Sequence, residues 1–429
     1  MRALSRRLTI LSLVASLALS TAGCVPKIGR AATPEPVILR FAYRQHTVQL
    51  DTLFQAFHEK YPSITIEPIE AERWGNQIES FVEMGNVDIL MEGRSALGLA
   101  NRGLILPLDE IQLGDWADIR DDYVKGAWEG LSIAGQQLGI PAGIDMLVVY
   151  INLDQARALK AQVPETDWTL FDLVDLAMAM NFPEGLPHAQ SARLFGFCTT
   201  PQDIDPVVFV YLHGGTIVDD LNDPSLPTLD DPATIEAAQW YVDLFTNYQV
   251  SPNPDLVRQT YRRGGVYEAA VRGHCGVWLG WFSNRDGLDM PFEWSMDWKM
   301  LPLPKDRVSV GLGDVVGYYI TKSCRYPKEA LKLLRFLADH WEASGTKLPP
   351  RRSLIKSKEY ETDVGEDIVK VAMARADRLL MLPAENTQAL EQVGIEYLNA
   401  IRAAIAEDLD PAGMLAEAQD RVKNVFRQP

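Results

Sequence analysis

Residues that build metal and redox centres are scarce in this chain. The 429 residues include four cysteines and six histidines, and no two cysteines stand in CxxC spacing. A zinc site or a dithiol redox motif is therefore not indicated. The metalloprotease motif HExxH and the hydrolase motif GxSxG are absent as well,. We expect no metal, no cofactor and no catalytic residue, and we predict that the protein is not an enzyme.

Positive charge is also in deficit. Lysine and arginine number 41 against 58 aspartates and glutamates, which gives a formal net charge of −17. A chain of this sign repels phosphate backbones, so nucleic acid is not an expected partner. The composition, 47% hydrophobic and 23% charged, is typical of a globular protein. The length exceeds the roughly 250–300 residues at which one hydrophobic core stops growing, and this predicts two lobes.

The N-terminal apolar run is too short to span a membrane. It extends from Leu8 to Leu19, follows three arginines and precedes the sequence TAGC, which ends at Cys24,. Small residues before a cysteine resemble the lipobox of bacterial lipoproteins, in which that cysteine is lipidated. The resemblance implies a signal peptide over 1–23, a lipid anchor at Cys24 and a tether over 24–36. An ordinary signal peptide with a chance cysteine is the alternative.

Three cysteines remain beyond Cys24, and an odd number cannot all pair within one chain. They are Cys198, Cys275 and Cys324. One disulfide is possible in an oxidising compartment. The sequence leaves open which two residues would form it.

Hydrophobic periodicity predicts alternating strands and helices after the tether. Strands are predicted at 37–43, 64–69 and 87–91, with a helix over 51–61 that Pro62 ends,. This alternation favours βαβ units and a parallel sheet.

The second half of the chain is predicted to be richer in helices. An apolar strand at 147–151 precedes mostly helical sequence to about residue 270,. Strands return at 276–281, 298–303 and 315–320, and Pro327 begins a helix, as proline prefers,. The chain is therefore expected to cross between its lobes more than once.

Several short segments follow one another in a familiar order. They are Phe54–Pro62, Gly103–Asp109, Gln136–Pro141, Gly214–Glu236, Leu301–Pro304, Gly317–Ile320 and Leu348–Arg351. Together they resemble the family 1 extracellular solute-binding proteins, the maltose-binding-like receptors of ABC importers. The resemblance covers nearly the whole chain beyond the tether.

The resemblance implies a fold, a function and partners. The fold class is α/β and periplasmic-binding-protein-like (type II), with two α/β lobes joined by hinge strands and a ligand cleft between them. One lobe is expected to comprise 36–142 plus 281–346, and the other 143–280 plus 347–429. The expected function is capture of a sugar or oligosaccharide by hinge closure, for delivery to an importer's permease and ATPase subunits. We expect a monomer outside the cytoplasm, anchored to the membrane at Cys24.

Sugars present apolar ring faces and hydroxyl edges, so their sites combine aromatic platforms with forked polar groups. Residues of these types near strand ends are the candidate ligand contacts. They are Tyr43, His46, Trp74, Glu92, Asp145, Trp278, Trp281, Asp314 and Arg351. Because Trp278 and Trp281 stand on opposite faces of a strand, one of them is expected to face the cleft, and Trp281 is favoured. Asp314 is expected in a glycine-rich loop that lets the ligand approach closely.

The sequence is also compatible with different roles for some of these residues. Glu92 and Arg94 could form a surface ion pair in place of a ligand contact. The solute could be a sugar acid, held by Arg44, Arg94 or Arg351, or it could be a polyamine or an iron complex. A glycoside-cleaving enzyme, which needs two suitably spaced carboxylates, is compatible with the many acidic residues as well.

Overall fold

A computed structural model of the chain describes residues 36–44, 47–72, 75–111, 116–182, 193–221, 224–288, 294–382 and 388–427. The predictions made for His46, Trp74, Cys24, the signal peptide and most of the tether lie outside these residues. The account below concerns the unit that runs from Ile38 to the C-terminus, together with Val37, the first residue of its first strand.

Eleven strands and sixteen α-helices lie within the described residues. The strands are β1 Val37–Tyr43, β2 Ile64–Glu70, β3 Ile89–Glu92, β4 Ser132–Ile133, β5 Gln136–Gln137, β6 Gly139–Asn152, β7 Phe195–Cys198, β8 Cys275–Trp281, β9 Trp298–Pro302, β10 Gly311–Ile320 and β11 Leu379–Met381. The helices are α1 Val48–Lys60, α2 Gln77–Glu83, α3 Leu97–Asn101, α4 Ala117–Arg120, α5 Leu153–Leu159, α6 Leu170–Met180, α7 Asp205–Leu212, α8 Pro232–Asp243, α9 Pro254–Tyr261, α10 Gly265–Val271, α11 Pro327–Ala338, α12 Arg352–Ile355, α13 Lys358–Val364, α14 Glu366–Ala374, α15 Gln388–Glu407 and α16 Pro411–Val422.

One mixed sheet of nine strands organises these elements. Its order is β2-β1-β3-β10-β6-β8-β7, with β11 beside β10 and β9 beside β6. Strands β1 and β3 are parallel, as the alternating pattern predicts, whereas β10 is antiparallel to both β3 and β6. The remaining two strands, β4 and β5, form a separate hairpin.

Strand β6 takes part in both halves of the sheet. Its first half pairs with β10, and its second half, from Leu147, pairs with β8 on one edge and β9 on the other. Every residue of β6 except Asp145 is buried, as expected for a strand covered on both faces. The predicted strand at 147–151 is therefore only the second half of a longer one.

Successive residues of β6 belong to two different hydrophobic clusters. Leu147, Val149 and Ile151 lie in a cluster with α6, α7, α8, α15 and α16. Val148 and Tyr150 lie in a second cluster, which also holds residues of β1, β3, β8 and β10. Because side chains alternate along a strand, the two clusters occupy opposite faces of β6.

Three sequence predictions about the strands need correction. Residues 311–314, expected to form a glycine-rich loop, are the first part of β10, because Gly313 has no side chain and β6 packs directly against it. A Cβ on Gly313 would lie 2.7 Å from the carbonyl oxygen of Asp145. The short strands β7 and β11 lie in segments predicted to be helical. At four and three residues, they are too short to show a period.

A disulfide joins Cys198 at the end of β7 to Cys275 at the start of β8, with 5.6 Å between the two Cα atoms. It decides the pairing that the sequence left open, and Cys324 is a free thiol. Within the described part of the chain, no helix is both long and apolar enough to cross a membrane.

Candidate functional site

A cavity of about 530 Å³ among the described residues is called here the aromatic cavity. Strands β6 and β8, helices α9 and α10 and the segment before α7 form its walls. The lining side chains include Leu147, Tyr150, Thr200, Gln202, Asp203, Asp205, Arg258, Arg262, Tyr267, Trp278, Trp281, Asn284 and Trp294. Its volume lies within the range of small-molecule sites.

A rigid group of rings forms one wall of the aromatic cavity. The register of β6 and β8 places Tyr150 opposite Trp278, and their rings stack with centroids 5.7 Å apart. Trp294 stands edge-on to both, at 4.8 Å from Tyr150 and 5.4 Å from Trp278. The indole N–H of Trp294 donates to the Tyr267 hydroxyl over 3.1 Å. The hydroxyl of Tyr150 donates to the carbonyl of Trp281 over 2.8 Å, which fixes this wall.

Both predicted tryptophans of β8 line this cavity. They pack against different clusters, as strand alternation requires: Trp278 belongs to the second cluster and Trp281 packs against the first. The cavity lies at the C-terminal end of β8 and reaches both faces of that strand. The expectation that one of the two, with Trp281 favoured, contacts the ligand stays a prediction.

Asp205 places a carboxyl group in the polar wall of the cavity. Its Oδ2 accepts hydrogen bonds from the Thr199 hydroxyl, at 2.7 Å, and from the Thr200 N–H, at 3.2 Å. Burial raises the pKa of this carboxyl to about 7, and nearby Asp203 adds to the increase,. Near neutral pH the group therefore exists in both forms, as a hydrogen-bond donor and as a carboxylate.

A smaller cavity of about 220 Å³ lies at the ends of β1 and β3 and is called here the small cavity. Tyr43 and Glu92, both predicted as ligand contacts, line it together with Arg44 and Lys347. They come together because β1 and β3 are parallel neighbours, with Tyr43 opposite Met91.

Glu92 forms its ion pair with Arg44 and not with Arg94. The Arg44 Nε lies 2.5 Å from the carboxylate of Glu92, which also accepts from the Gly93 N–H at 2.9 Å. Burial raises the pKa of Glu92, although the hydrogen bond from Gly93 and the charge of Arg44 oppose the increase. The interpretation as a surface pair with Arg94 is wrong, because Arg94 is buried and donates to two main-chain carbonyls.

Asp145 and Asp314 face each other across β6 and β10 and line neither cavity. The carboxylate of Asp145 accepts from the N–H and hydroxyl of Ser283, at 3.0 and 2.6 Å. Burial raises the pKa of Asp314, and the guanidinium of Arg94 opposes this. Both acids thus lie where β6 passes from β10 to β8, and their role as ligand contacts stays a prediction.

Arg351 lies apart from both cavities. Its guanidinium forms ion pairs with Asp122 at 2.9 Å and Asp339 at 2.7 Å, and donates to the Ala338 carbonyl at 3.0 Å. The structure thus gives this arginine a bridging role between chain segments. Its role as a ligand contact stays a prediction.

A short connection links the two cavities. Asn284 lines the aromatic cavity, and Thr346 lines the small one. Arg285, the residue after Asn284, donates to the Thr346 carbonyl. Its guanidinium lies 4.5 Å from the centre of the Phe282 ring. Among the described residues, no group of three histidine, cysteine or acidic side chains is arranged to hold a metal ion.

Comparison with known proteins decides the family. The profile of the bacterial extracellular solute-binding proteins matches residues 43–340. The chain belongs to this family. Its members act outside the cytoplasm, which agrees with the predicted location.

Solved structures confirm the predicted α/β, periplasmic-binding-protein-like fold of this solute-binding protein. An ABC substrate-binding protein of Listeria monocytogenes, in complex with cycloalternan, superposes with a TM-score of 0.73 at 15% identity, covering 92% of this chain and all of the other. The sugar-binding protein MalE of Xanthomonas citri gives 0.72 at 16% identity, covering 91% and 98%. A solute-binding protein of Thermotoga lettingae, bound with α-D-tagatose, gives 0.66 at 17% identity, covering 91% and 100%.

Sequence reasoning about this solute-binding protein missed the contribution of the segment from Thr200 to Tyr267. Asp205, Arg262 and Tyr267 reach the aromatic cavity from a loop and two helix starts, whereas the predicted contacts lie near strand ends. One signal was present: Asp205-Pro206 marks the start of a helix directly before the apolar run VVFVYL,.

Proposed function

We propose that this solute-binding protein captures a sugar or oligosaccharide outside the cytoplasm and presents it to an importer, without chemical turnover. The observation that carries the proposal is the aromatic cavity, in which Trp278, Trp281, Trp294 and Tyr267 surround a space edged by polar side chains. Aromatic faces suit the C–H faces of sugar rings, and the polar groups suit their hydroxyls. Structural relatives in complex with cycloalternan and tagatose, and the sugar-binding protein MalE, support the same class of ligand.

Asp205 and Asn284 are the groups that we expect to fix the sugar's orientation. Asp205 uses one carboxyl oxygen for Thr199 and Thr200, and the other has no donor among the described residues. A carboxylate there accepts a sugar hydroxyl through a charge-assisted bond, which is stronger than a neutral one. Asn284 offers a donor and an acceptor on the same amide.

The small cavity is proposed as the opposing surface of the ligand cleft. We assign residues 36–142 plus 281–346 to one lobe and 143–280 plus 347–429 to the other. In this division most of the small cavity belongs to the first lobe, and most of the aromatic cavity belongs to the second. Hinge motion at β6 would then bring Tyr43 and Glu92 against a sugar that is held on the aromatic wall.

We also propose the surroundings in which capture takes place. The monomeric protein is tethered through lipid at Cys24, and the importer's permease and ATPase subunits receive the solute. The basis for these assignments is the lipobox-like sequence before Cys24 and the family membership.

Calorimetric titration of the mature protein tests the proposal, with a panel of mono- and oligosaccharides, uronic acids, polyamines and iron complexes. We expect one or more sugars to bind saturably and to be recovered unchanged. Trp281→Ala should weaken the best sugar about tenfold, the loss expected for one aromatic platform. Trp240→Ala is the matched control, since Trp240 is also half-buried but lines neither cavity.

Three outcomes would contradict the proposal. Binding of a polyamine or iron complex without any sugar would overturn the ligand class. Release of shortened sugars during incubation would establish glycoside cleavage in place of capture. Equal affinities of the Trp281 and Trp240 variants would remove the aromatic cavity as the site.

A further inference from the structure

The aromatic cavity adjoins two further hollows, called together the outer groove. The nearer hollow, about 180 Å³, lies between the start of α9 and the end of α15 and is lined by Asn253, Asp255 and Arg402. The farther one, about 170 Å³, is lined by Arg193 and Ser251. The residues that line these hollows connect them, one after the other, to the aromatic cavity.

Shared walls make these spaces neighbours. Gln202, Pro254 and Arg258 line both the aromatic cavity and the nearer hollow. Asn253 and Ile405 line both hollows of the groove. The Arg258 side chain at this shared wall is 72% exposed.

Positive charge dominates the outer groove, although the chain is acidic. The residues that line the groove include three with guanidinium groups, Arg193, Arg258 and Arg402, and one with a carboxylate, Asp255. Arg258 pairs with Asp255, whereas Arg402 donates to Leu398 and Asn399 of its own helix. Arg193 lies 4.9 Å from the centre of the Phe195 ring. Within the described part of the chain, two of the three arginines thus have no carboxylate partner.

A buried hydroxyl at the far end of the groove also lacks a partner. Ser251 is 5% exposed, and its Oγ forms no hydrogen bond with any described residue. A polar group that is buried without a hydrogen-bond partner destabilises the state that contains it. A ligand that donates to it or accepts from it removes this destabilisation.

We propose that the outer groove binds the far units of an oligosaccharide whose first units occupy the aromatic cavity, and that these far units carry a carboxylate. The inference rests on the proposed sugar-binding function and defines its ligand more narrowly. Guanidinium groups bind carboxylates with two parallel hydrogen bonds, and the Ser251 hydroxyl suits a sugar hydroxyl. A short neutral sugar would leave the whole groove empty.

Calorimetry with matched probes tests this inference. The probes are di- and tetrasaccharides of glucose, mannose and galactose, and the same tetrasaccharides with a terminal unit oxidised to a uronate. For the preferred sugar, we expect the tetrasaccharide to bind more tightly than the disaccharide. The oxidised tetrasaccharide should bind about fivefold more tightly than the neutral one. Added salt should reduce this fivefold gain in affinity.

Arg402→Gln should remove the gain from oxidation and leave the affinity for the neutral disaccharide unchanged. Arg421→Gln is the matched control, because Arg421 is an exposed arginine on the adjacent helix α16 and lines none of these cavities. Equal affinity for all three probes of one sugar would refute binding in the outer groove and would leave the proposed function intact. If Arg402→Gln still binds the oxidised tetrasaccharide more tightly than the neutral one, recognition of the carboxylate by this arginine is refuted. Failure of every sugar to bind would instead refute the proposed function.

Discussion

Asp205 allows a quantitative test of the polar wall of the aromatic cavity. Its pKa in the folded protein is about 7, compared with 3.8 for a free aspartate. The folded state therefore holds a proton between these values that the unfolded state has lost. This proton stabilises the fold fully below pH 3.8, and the stabilisation disappears as the pH rises through 7,. The free energy of unfolding should fall over that interval.

The size of the change follows from the same pKa difference. The difference corresponds to about 4 kcal/mol at its upper limit, since each pKa unit is worth about 1.36 kcal/mol. Because the side chain is only half-buried and meets water in the open cavity, we expect about 2 kcal/mol. Asp205→Asn removes the titrating group but keeps its shape and an acceptor for Thr199 and Thr200.

Urea denaturation at intervals from about pH 4 to 8 measures the effect. The difference in unfolding free energy between the native protein and Asp205→Asn should shift by about 2 kcal/mol across the range, with the native protein relatively more stable at low pH. Asp203→Asn is the control: it removes the exposed neighbouring charge but should keep most of the pH dependence. Parallel curves for the native protein and Asp205→Asn would refute a raised pKa at Asp205.

Two further predictions concern the frame that holds the site. Replacing Cys198 and Cys275 together by serine should lower the free energy of unfolding by about 3–4 kcal/mol, because the disulfide links residues 77 positions apart in the sequence,. An unchanged midpoint of thermal unfolding would contradict this. Gly196→Ala should destabilise by at least about 2 kcal/mol, because its Cβ would lie 1.7 Å from the Ala177 carbonyl oxygen,. Gly394→Ala is the control, because Gly394 on α15 has open space around it, and it should stabilise the protein by about 0.5–1 kcal/mol. Equal effects of the two alanine substitutions would show that β7 does not pack against α6 as described.

Strands β1, β2 and β3 were predictable because their sequence signals are local. Runs such as VILRFAY in β1 are strongly apolar and precede a segment with helical spacing,. The first half of β6 was not predictable in the same way, because Pro141 with its flanking glycines is typical of a turn. Among the described residues, this half pairs with β10 on one edge and makes only an isolated bridge on the other. Proline is tolerated at such an edge position.

Four of the predicted contacts line a cavity at a strand end, and their role as ligand contacts stays a prediction. Tyr43 and Glu92 meet because β1 and β3 are parallel neighbours, and Trp278 and Trp281 share a cavity at the end of β8. Asp205 and Tyr267 reach the same cavity only through the packing of α7 and α10, which no local pattern encodes. The partner of Glu92 was missed for a similar reason, since Arg44 lies on another strand's end, 48 positions away.

The ring cluster of the aromatic cavity has an optical consequence. Five of the six ring pairs among Tyr150, Trp278, Trp294 and Trp298 have centres 4.8–5.8 Å apart, close enough for their electronic transitions to couple. The cluster should therefore dominate the near-ultraviolet circular dichroism of the folded protein. A solute that displaces water from these indoles changes their emission wavelength and intensity. The protein thus carries its own chromophore at the proposed point of capture, and we expect titration with a bound solute to be measurable there without a dye.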